Sequence, residues 1–175
     1  MIVSTIIFSF ISFISVINYP VSELFQHQKS DEFNVEIINL EELNDIINTR
    51  QGKPLLINVW ATWCIPCREE FPDLMRMAED YDDEIEVIGI SVDLLEEIES
   101  KVNPFLQQVN SLFTNYIIEI NDPEDFINFM SKNWSGAIPA TFIYDKTGVQ
   151  KEVFIGKQSF NDFEKSIKSY LSSTE

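Results

Sequence analysis

The clearest pattern in the chain is an apolar run at positions 55–60 that is followed, after a short gap, by apolar residues at helical spacing. The run Leu-Leu-Ile-Asn-Val-Trp predicts a buried strand. The residues after the gap predict an amphipathic helix, and its apolar positions are Phe71, Leu74, Met75 and Ala78. The segment Cys64-Ile65-Pro66-Cys67 lies where the strand passes into the helix.

The hydrophobic periodicity of the rest of the chain predicts further strands and helices. Strands are predicted at 33–37, 85–90, 116–120, 140–144 and 149–155. Helices are predicted at 40–47, at 98–109 with an interruption at Pro104, after the Asp122-Pro123 cap, and after Ser159. The segment 145–148, Asp-Lys-Thr-Gly, has the composition of a hairpin turn. Alternating strands and helices, closed by a hairpin and a helix, predict an α/β fold with a mixed sheet.

The two cysteines fall in the first turn of the predicted active-site helix, and their positions suggest a reaction. Thiols three residues apart lie on one side of a helix, close enough to bond to each other. Cys64 lies at the helix N-terminus, where unpaired N–H groups and the positive end of the dipole favour a thiolate. Because the thiolate is the nucleophile in disulfide exchange, the pair Cys64 and Cys67 is predicted to be a redox centre.

A structural or metal-binding role for the pair is the alternative. The chain contains only these two cysteines, and a bridge that closes so short a loop restricts the unfolded chain only weakly. Structural zinc usually needs four Cys or His ligands, whereas the single histidine, His27, lies far from the pair in the sequence. We therefore expect redox chemistry, no metal, and no cofactor beyond the redox-active disulfide of Cys64 and Cys67.

Two segments resemble the TlpA/ResA-type family of thioredoxin-like thiol-disulfide oxidoreductases. Residues 60–72, Trp-Ala-Thr-Trp-Cys-Ile-Pro-Cys-Arg-Glu-Glu-Phe-Pro, resemble the family's active-site segment, and 138–142, Ile-Pro-Ala-Thr-Phe, resemble its cis-proline segment. The resemblance runs from about Phe33 to the C-terminus. It implies a thioredoxin fold, in which helices flank a central mixed β-sheet, and the helix and strand predicted between Leu94 and Ile120 fit the family's usual insertion.

The resemblance also implies an activity and roles for individual residues. Relatives are protein-disulfide reductases that act outside the cytoplasm on exported proteins, notably on apocytochromes c before haem attachment. By position, Cys64 is the nucleophile and Cys67 the resolving thiol. Pro139 is the cis-proline that faces the pair, and Ile138 offers its backbone to an extended substrate. We expect protein thiols and disulfides as substrates and a membrane-embedded electron donor.

The residues around the cysteines are expected to contact the substrate or to pack in the core. Trp63, Ile65 and Pro66 are expected to contact the substrate, with Trp63 forming a flat apolar rim. Ile65 replaces the Glu often found between the cysteines in this family, and the dipeptide at this place tunes the reduction potential. Trp60 and Trp134 are expected to pack in the core.

Asn58 and Glu70 mark a departure from plain thioredoxins. Those proteins place a buried Asp six residues before the first Cys as a proton acceptor, whereas this chain has Asn58, which cannot titrate. Glu70 follows Cys67 by three residues on the same helix face and matches an acid seen in ResA-type proteins. It is a candidate proton relay for both thiols. The alternative is an ordinary first-turn Glu that the helix dipole favours.

Two other functions remain as alternatives. A thiol peroxidase of the same fold needs a peroxidatic Cys preceded by Thr or Ser at the right distance, together with a supporting Arg. The spacing of Thr62 and Cys64 does not fit this requirement, and Arg68 is poorly placed. A redox-inert or metal-carrying interaction module is the other alternative; a copper carrier of this fold would need a wider Cys spacing and a late His.

Composition and charge restrict the partners. Hydrophobic residues make up 45% of the chain and aromatic residues 13%, which is typical of a globular protein. The chain has 12 basic and 29 acidic residues, for a net charge of -17, so its surface would repel nucleic acid. We expect a monomer that binds no nucleic acid.

The N-terminal part of the chain predicts export. Residues 2–17 carry no charge and consist mainly of Ile, Phe, Val and Ser. We expect 1–22 to contain a signal peptide or an uncleaved membrane anchor, rather than a core element of the domain. A polar connector at 23–32 then leads to a thioredoxin-like domain at 33–175. This organisation predicts a protein of the periplasm or of the outer face of the cytoplasmic membrane.

Overall fold

A computed structural model describes residues 34–49 and 52–171 of the chain. The expectations for an export segment at 1–22 and for a connector at 23–32 concern residues outside this part. Within the described ranges, no helix is both long and apolar enough to cross a membrane.

Six strands in the described part of the chain form one mixed sheet, which confirms the predicted fold class. They are β1 (Glu36–Ile38), β2 (Leu55–Trp60), β3 (Glu86–Ser91), β4 (Thr114–Ile118), β5 (Ala140–Tyr144) and β6 (Gln150–Ile155). Their order across the sheet is β1-β4-β3-β2-β5-β6. The first four in this order run parallel, whereas β5 and β6 are antiparallel to their neighbours.

Five α-helices of the described residues cover the sheet. They are α1 (Leu40–Thr49), α2 (Ile65–Asp80), α3 (Asn103–Val109), α4 (Pro123–Met130) and α5 (Phe160–Leu171). A 3₁₀ turn at Leu95–Glu97 and a π-helical turn at Ile98–Val102 precede α3. Asp122 caps α4 by accepting the N–H of Glu124, as predicted from the Asp-Pro pair.

The central strand β2 is buried on both faces because helices pack on each side of it. Leu55, Ile57 and Val59 belong to one cluster with apolar residues of α1 and α4. Leu56 packs on the opposite face with residues of α2 and α5. Since side chains of a strand alternate between faces, Asn58 and Trp60 point to the same side as Leu56, toward α2. This alternation brings Asn58 to the helix that begins at the dithiol.

The insertion predicted between Leu94 and Ile120 is confirmed, and its strand widens the sheet. Strand β4 lies two residues earlier than the predicted 116–120. Its position follows from pairing, because Thr114 is aligned with Ile88 of β3 and Ile118 with Ile38 of β1. The apolar pattern could not reveal this register, since strand pairing depends on residues far apart in the sequence.

The helical face predicted at 98–109 changes its winding next to Pro104, where the sequence predicts an interruption. Pro104 lies in the first turn of α3, after the π-helical turn. Proline is tolerated at this position because the first N–H groups of a helix have no partner within it.

Candidate active site

Strand β2 and the loop after it lead the chain to the dithiol. Trp60, at the end of β2, is fully buried as predicted. Its ring centroid lies 4.8 Å from that of Phe71 on α2 and 5.2 Å from that of Phe105 on α3. The chain then turns, and the N–H of Cys64 donates to the carbonyl of Ala61 at 3.1 Å. This turn places Cys64 at the N-cap of α2.

The N-cap position supplies Cys64 with a hydrogen-bond donor. The backbone N–H of Cys67 donates to the Sγ of Cys64 at 3.2 Å, and it is one of the N–H groups that a helix leaves unpaired in its first turn. The two sulfurs form a disulfide, with the Cα atoms 5.3 Å apart. Cys64 retains 5% of its exposure and Cys67 none. A partner can therefore reach Cys64 before it reaches Cys67.

The loop before β5 packs against the apolar cluster that contains the cysteines. The peptide bond between Ile138 and Pro139 is cis, as predicted. Ile138 packs against the apolar cluster that contains both cysteines. The indole N–H of Trp134 donates to the carbonyl of Ala137 at 2.8 Å, so Trp134 holds this loop in addition to packing in the core.

Three of the residues expected to contact a substrate lie next to Cys64 in the chain, and Ile138 packs against the cluster that contains it. Trp63 and Ile65, the neighbours of Cys64 in the chain, are 62% and 67% exposed. Pro66 is also exposed, Ile138 is half-buried and Pro139 is buried. The surface around the disulfide is therefore apolar and accessible.

Glu70 of α2 lies in a buried hydrogen-bond network with residues of β2, of β5 and of the segment after β6. The side-chain amide of Asn58 donates to Glu70 Oε2 at 2.9 Å and to Thr141 Oγ1 at 2.9 Å. The backbone N–H of Gln158 donates to Glu70 Oε1 at 2.6 Å. Asn58 and Glu70 are both fully buried. Asn58 Oδ1 has no hydrogen-bond partner among the residues that the structure describes.

Burial raises the pKa of Glu70 from 4.5 to about 7, because removal from water disfavours the carboxylate. The hydrogen bonds from Gln158 and Asn58 oppose this rise, as does Lys157, whereas the charge of Asp73 adds to it. Glu70 can therefore exchange a proton close to neutral pH, which is the property a general acid or base requires.

Asp93 supports the site, although the sequence-based predictions did not include it. Its carboxylate accepts the N–H of Thr62 at 2.9 Å and the hydroxyls of Thr62 and Ser91 at 2.6 and 2.8 Å. Asp93 is 5% exposed. Its hydrogen bonds hold the loop that carries Trp63 and Cys64. The sequence shows an Asp shortly after a predicted buried strand, which could have marked it as a candidate. The sequence does not show its hydrogen bond to Thr62, 31 positions earlier.

Comparisons with known proteins agree with this site. A model of the AhpC/TSA family matches residues 25–153. The thioredoxin-like protein YneN of Bacillus subtilis is 27% identical over 140 residues, which cover 80% of this chain and 77% of that protein. The thiol-disulfide oxidoreductase ResA of Bacillus cereus is 29% identical over 132 residues, 75% of this chain and 71% of ResA. The crystal structure of a thiol:disulfide interchange protein of the thioredoxin family from Chlorobium tepidum has a TM-score of 0.57 and 25% identity, covering 69% and 81% of the two chains.

The thioredoxin-like fold, the Cys64–Cys67 pair at the start of α2 and these relatives together define a thiol-disulfide oxidoreductase. The family model covers more than half of the chain, and the protein belongs to the AhpC/TSA family. The resemblance to ResA-type proteins is thereby confirmed, and protein thiols are the expected class of substrate.

Proposed function

We propose that the protein reduces disulfides of exported proteins outside the cytoplasm, with Cys64 as the attacking sulfur. The observation that carries the proposal is the N–H of Cys67 directed at Cys64 Sγ from the first turn of α2. In the reduced protein this donor stabilises a thiolate at Cys64. The greater exposure of Cys64 supports the same assignment.

The proposed reaction transfers two electrons to the partner. The Cys64 thiolate attacks one sulfur of the partner disulfide, forms a mixed disulfide and releases the other sulfur as a thiolate, which takes up a proton. Cys67 then loses its proton and attacks Cys64 Sγ. This second step forms the Cys64–Cys67 disulfide and releases the partner's second sulfur as a thiol. A membrane-embedded dithiol donor, itself oxidised to a disulfide, returns the pair to the reduced state.

The backbone of Ile138 is proposed to bind the substrate as an extended strand. No described residue forms a hydrogen bond with its N–H or its carbonyl, and its side chain contacts the apolar cluster around the cysteines. The exposed rings and side chains of Trp63, Ile65 and Pro66 provide an apolar rim for the residues beside the partner's cysteine.

Glu70 is proposed to accept the proton that Cys67 loses in the second step. Glu70 and Cys67 are three residues apart on one helix and therefore share a face, and the pKa of Glu70 lies near 7. We expect Glu70→Gln to change the pH dependence of alkylation of both thiols. Glu69→Gln is the matched control, since Glu69 is exposed and pairs with Lys157. Identical pH profiles for Glu70→Gln and the wild type would remove this role.

The substrates proposed from the ResA resemblance are apocytochromes c and other exported proteins with disulfides. The uncharged segment at 2–17 supports an extracytoplasmic location. Expression of the full chain with Cys67→Ser should trap partners as mixed disulfides, because the resolving thiol is missing. Partners that are exported proteins would support the proposal, whereas exclusively cytoplasmic partners would contradict it.

The activity is tested by reduction of insulin with a thiol as electron donor. We expect turnover by the wild type and none by Cys64→Ser. Cys67→Ser should form the mixed disulfide without turnover, which separates attack from resolution. Consumption of peroxide at the expense of the thiol donor, without insulin reduction, would instead favour the thiol peroxidase.

A further inference from the structure

Two adjoining depressions form a groove between the start of α2 and helix α3. One has a volume of about 380 Å³ and includes Trp63 in its wall, and the other has about 360 Å³ and includes Ile65. Both are lined by Arg68, Phe105 and Gln108, and we refer to them together as the Arg68 groove. Trp63 and Ile65 are the chain neighbours of Cys64, so the residues on either side of the attacking cysteine both line the groove.

Arg68 is the charged residue that lines both depressions, whereas Lys101 lines only the first and Glu69 only the second. Its guanidinium carbon lies 5.8 Å from the centroid of the Phe105 ring, a distance at which the ring attracts a cation. Within the described part of the chain no carboxylate forms an ion pair with Arg68, whereas Lys101 and Lys157 at the same end of the molecule pair with Glu97 and Glu69.

Neither the helix nor the composition explains an arginine at this position. A cation in the first turn of a helix faces the positive end of the helix dipole, which is unfavourable. The chain has 29 acidic and 12 basic residues, so carboxylates to pair with Arg68 are abundant, yet none of the described ones does so. A carboxylate from another molecule would complete the site.

We propose that the Arg68 groove binds the polypeptide segment next to the partner's reactive cysteine and selects a segment that contains Asp or Glu. This inference rests on the proposed exchange of disulfides with protein partners. The guanidinium can bind a carboxylate through two parallel hydrogen bonds, and the exposed Trp63 and Ile65 contact apolar neighbours of that residue. The net charge of -17 disfavours the approach of acidic segments to the surface in general, so a preference for them requires a local cation such as Arg68.

The test uses peptide disulfides that differ at a single residue. A Glu is placed at each position within about four residues of the cysteine, a range comparable to the size of a short bound segment, and each peptide is compared with its Gln counterpart. The rate constant for oxidation of the reduced full chain is measured at low salt. For the best position we expect the Glu peptide to react about two- to fivefold faster, the upper part of the range for an exposed ion pair, and the difference to shrink at high salt.

Variants of Arg68 identify the source of the preference. Arg68→Gln should bring the ratio of Glu to Gln peptide to one, and Arg68→Glu should reverse it. Arg76→Gln is the matched control, because Arg76 is exposed on the same helix but pairs with Asp80, and its ratio should equal that of the wild type. The inference is overturned if Arg68→Gln leaves the ratio of the Glu to the Gln rate constant unchanged. This holds also if the substitution slows the reaction of both peptides by the same factor.

A small neutral disulfide, hydroxyethyl disulfide, distinguishes failure of this inference from failure of the proposed function. If the reduced chain exchanges with neither the small disulfide nor any peptide, the proposed function fails. If it exchanges with the small disulfide and all Glu and Gln peptides react equally, the groove proposal is wrong and the proposed function stands.

Discussion

At the scale of single residues, the buried carboxyl of Glu70 connects the chemistry of the site to the stability of the protein. Its pKa is about 7 in the folded chain and 4.5 in the reference state. Between these values the folded protein holds a proton that the unfolded chain has released. The contribution of Glu70 to stability is therefore complete below about pH 4.5 and is lost as the pH rises through about 7.

Glu70→Gln should remove this pH dependence. In the wild type, the buried carboxyl should lower the free energy of unfolding by about 3 kcal/mol between pH 4.5 and a pH above 7, since one pKa unit corresponds to about 1.4 kcal/mol. Urea unfolding of the oxidised protein at about pH 5 and about pH 8 measures the effect. Glu69→Gln serves as the control. Equal pH dependence in Glu70→Gln and the wild type would contradict the prediction.

Asp93 is a second buried residue that contributes to stability, through the hydrogen bonds that it accepts. Asp93→Ala should lower the free energy of unfolding by about 2 kcal/mol, because it leaves the N–H and hydroxyl of Thr62 and the hydroxyl of Ser91 without their acceptor. Asp93→Asn should cost less, since an amide oxygen can still accept from Thr62. Urea titration of both variants measures the two changes, and equal losses would show that the charge rather than the hydrogen bonds matters.

At the scale of elements, the centre of the sheet beside the site is packed around Gly89 of β3. A Cβ at this position would lie 2.1 Å from Asn115 Oδ1 of β4 and 2.9 Å from Trp60 Nε1 of β2. Both contacts are shorter than real Cβ contacts. The absence of a side chain at Gly89 thus leaves room for the polar side chains of Asn115 and Trp60, from the two neighbouring strands, over β3.

Gly89→Ala should therefore destabilise the protein by about 1–3 kcal/mol or more, the cost typical of overpacking. Asn115→Ala removes the closest contact, although it also loses the hydrogen bonds to Ser111 and Phe113. The double variant should be more stable than the sum of the single losses predicts. Thermal or urea unfolding of the four proteins gives this coupling energy, and strict additivity would contradict the clash.

The elements also show the limits of local sequence patterns. The apolar run of β2, the cap at Asp122 and the start of α2 at Cys64 depend on nearby residues, and the structure confirms them. The limits of β4 were predicted wrongly. The position of β4 depends on partners in β1 and β3, which the periodicity of β4 does not encode.

At the scale of the whole molecule, the net charge of -17 dominates the long-range electrostatics. Repulsion among the excess carboxylates opposes the compact state. The ion pairs of Arg76 with Asp80 and of Lys157 with Glu69 are exposed and contribute little each.

The melting temperature should therefore rise when NaCl is increased from about 10 mM to about 200 mM at neutral pH, since the Debye length falls below about 10 Å over this range. KCl should act equally if the effect is screening rather than binding of a specific ion. Calorimetry of the full chain measures the change. A melting temperature that falls with added salt would show that attractive ion pairs outweigh the repulsion.

The sequence alone determined the class of fold and the reacting pair. Hydrophobic periodicity places Cys64 and Cys67 in the first turn of a helix. The backbone N–H groups of that turn lie close to the thiols because they belong to residues only a few positions away in the chain. The resemblance of two short segments added the cis-proline loop, and the structure packs Ile138 against the apolar cluster that contains both cysteines.

Only the tertiary structure decided what surrounds the pair. Glu70 accepts a backbone N–H from Gln158, 88 positions later, and Asn58 joins it to Thr141, 83 positions later. The loop before Cys64 depends on Asp93 in the same way. The physical reason is that the pKa of a carboxyl and the shape of a loop depend on burial and on contacts between distant segments, which exist only once the sheet has formed.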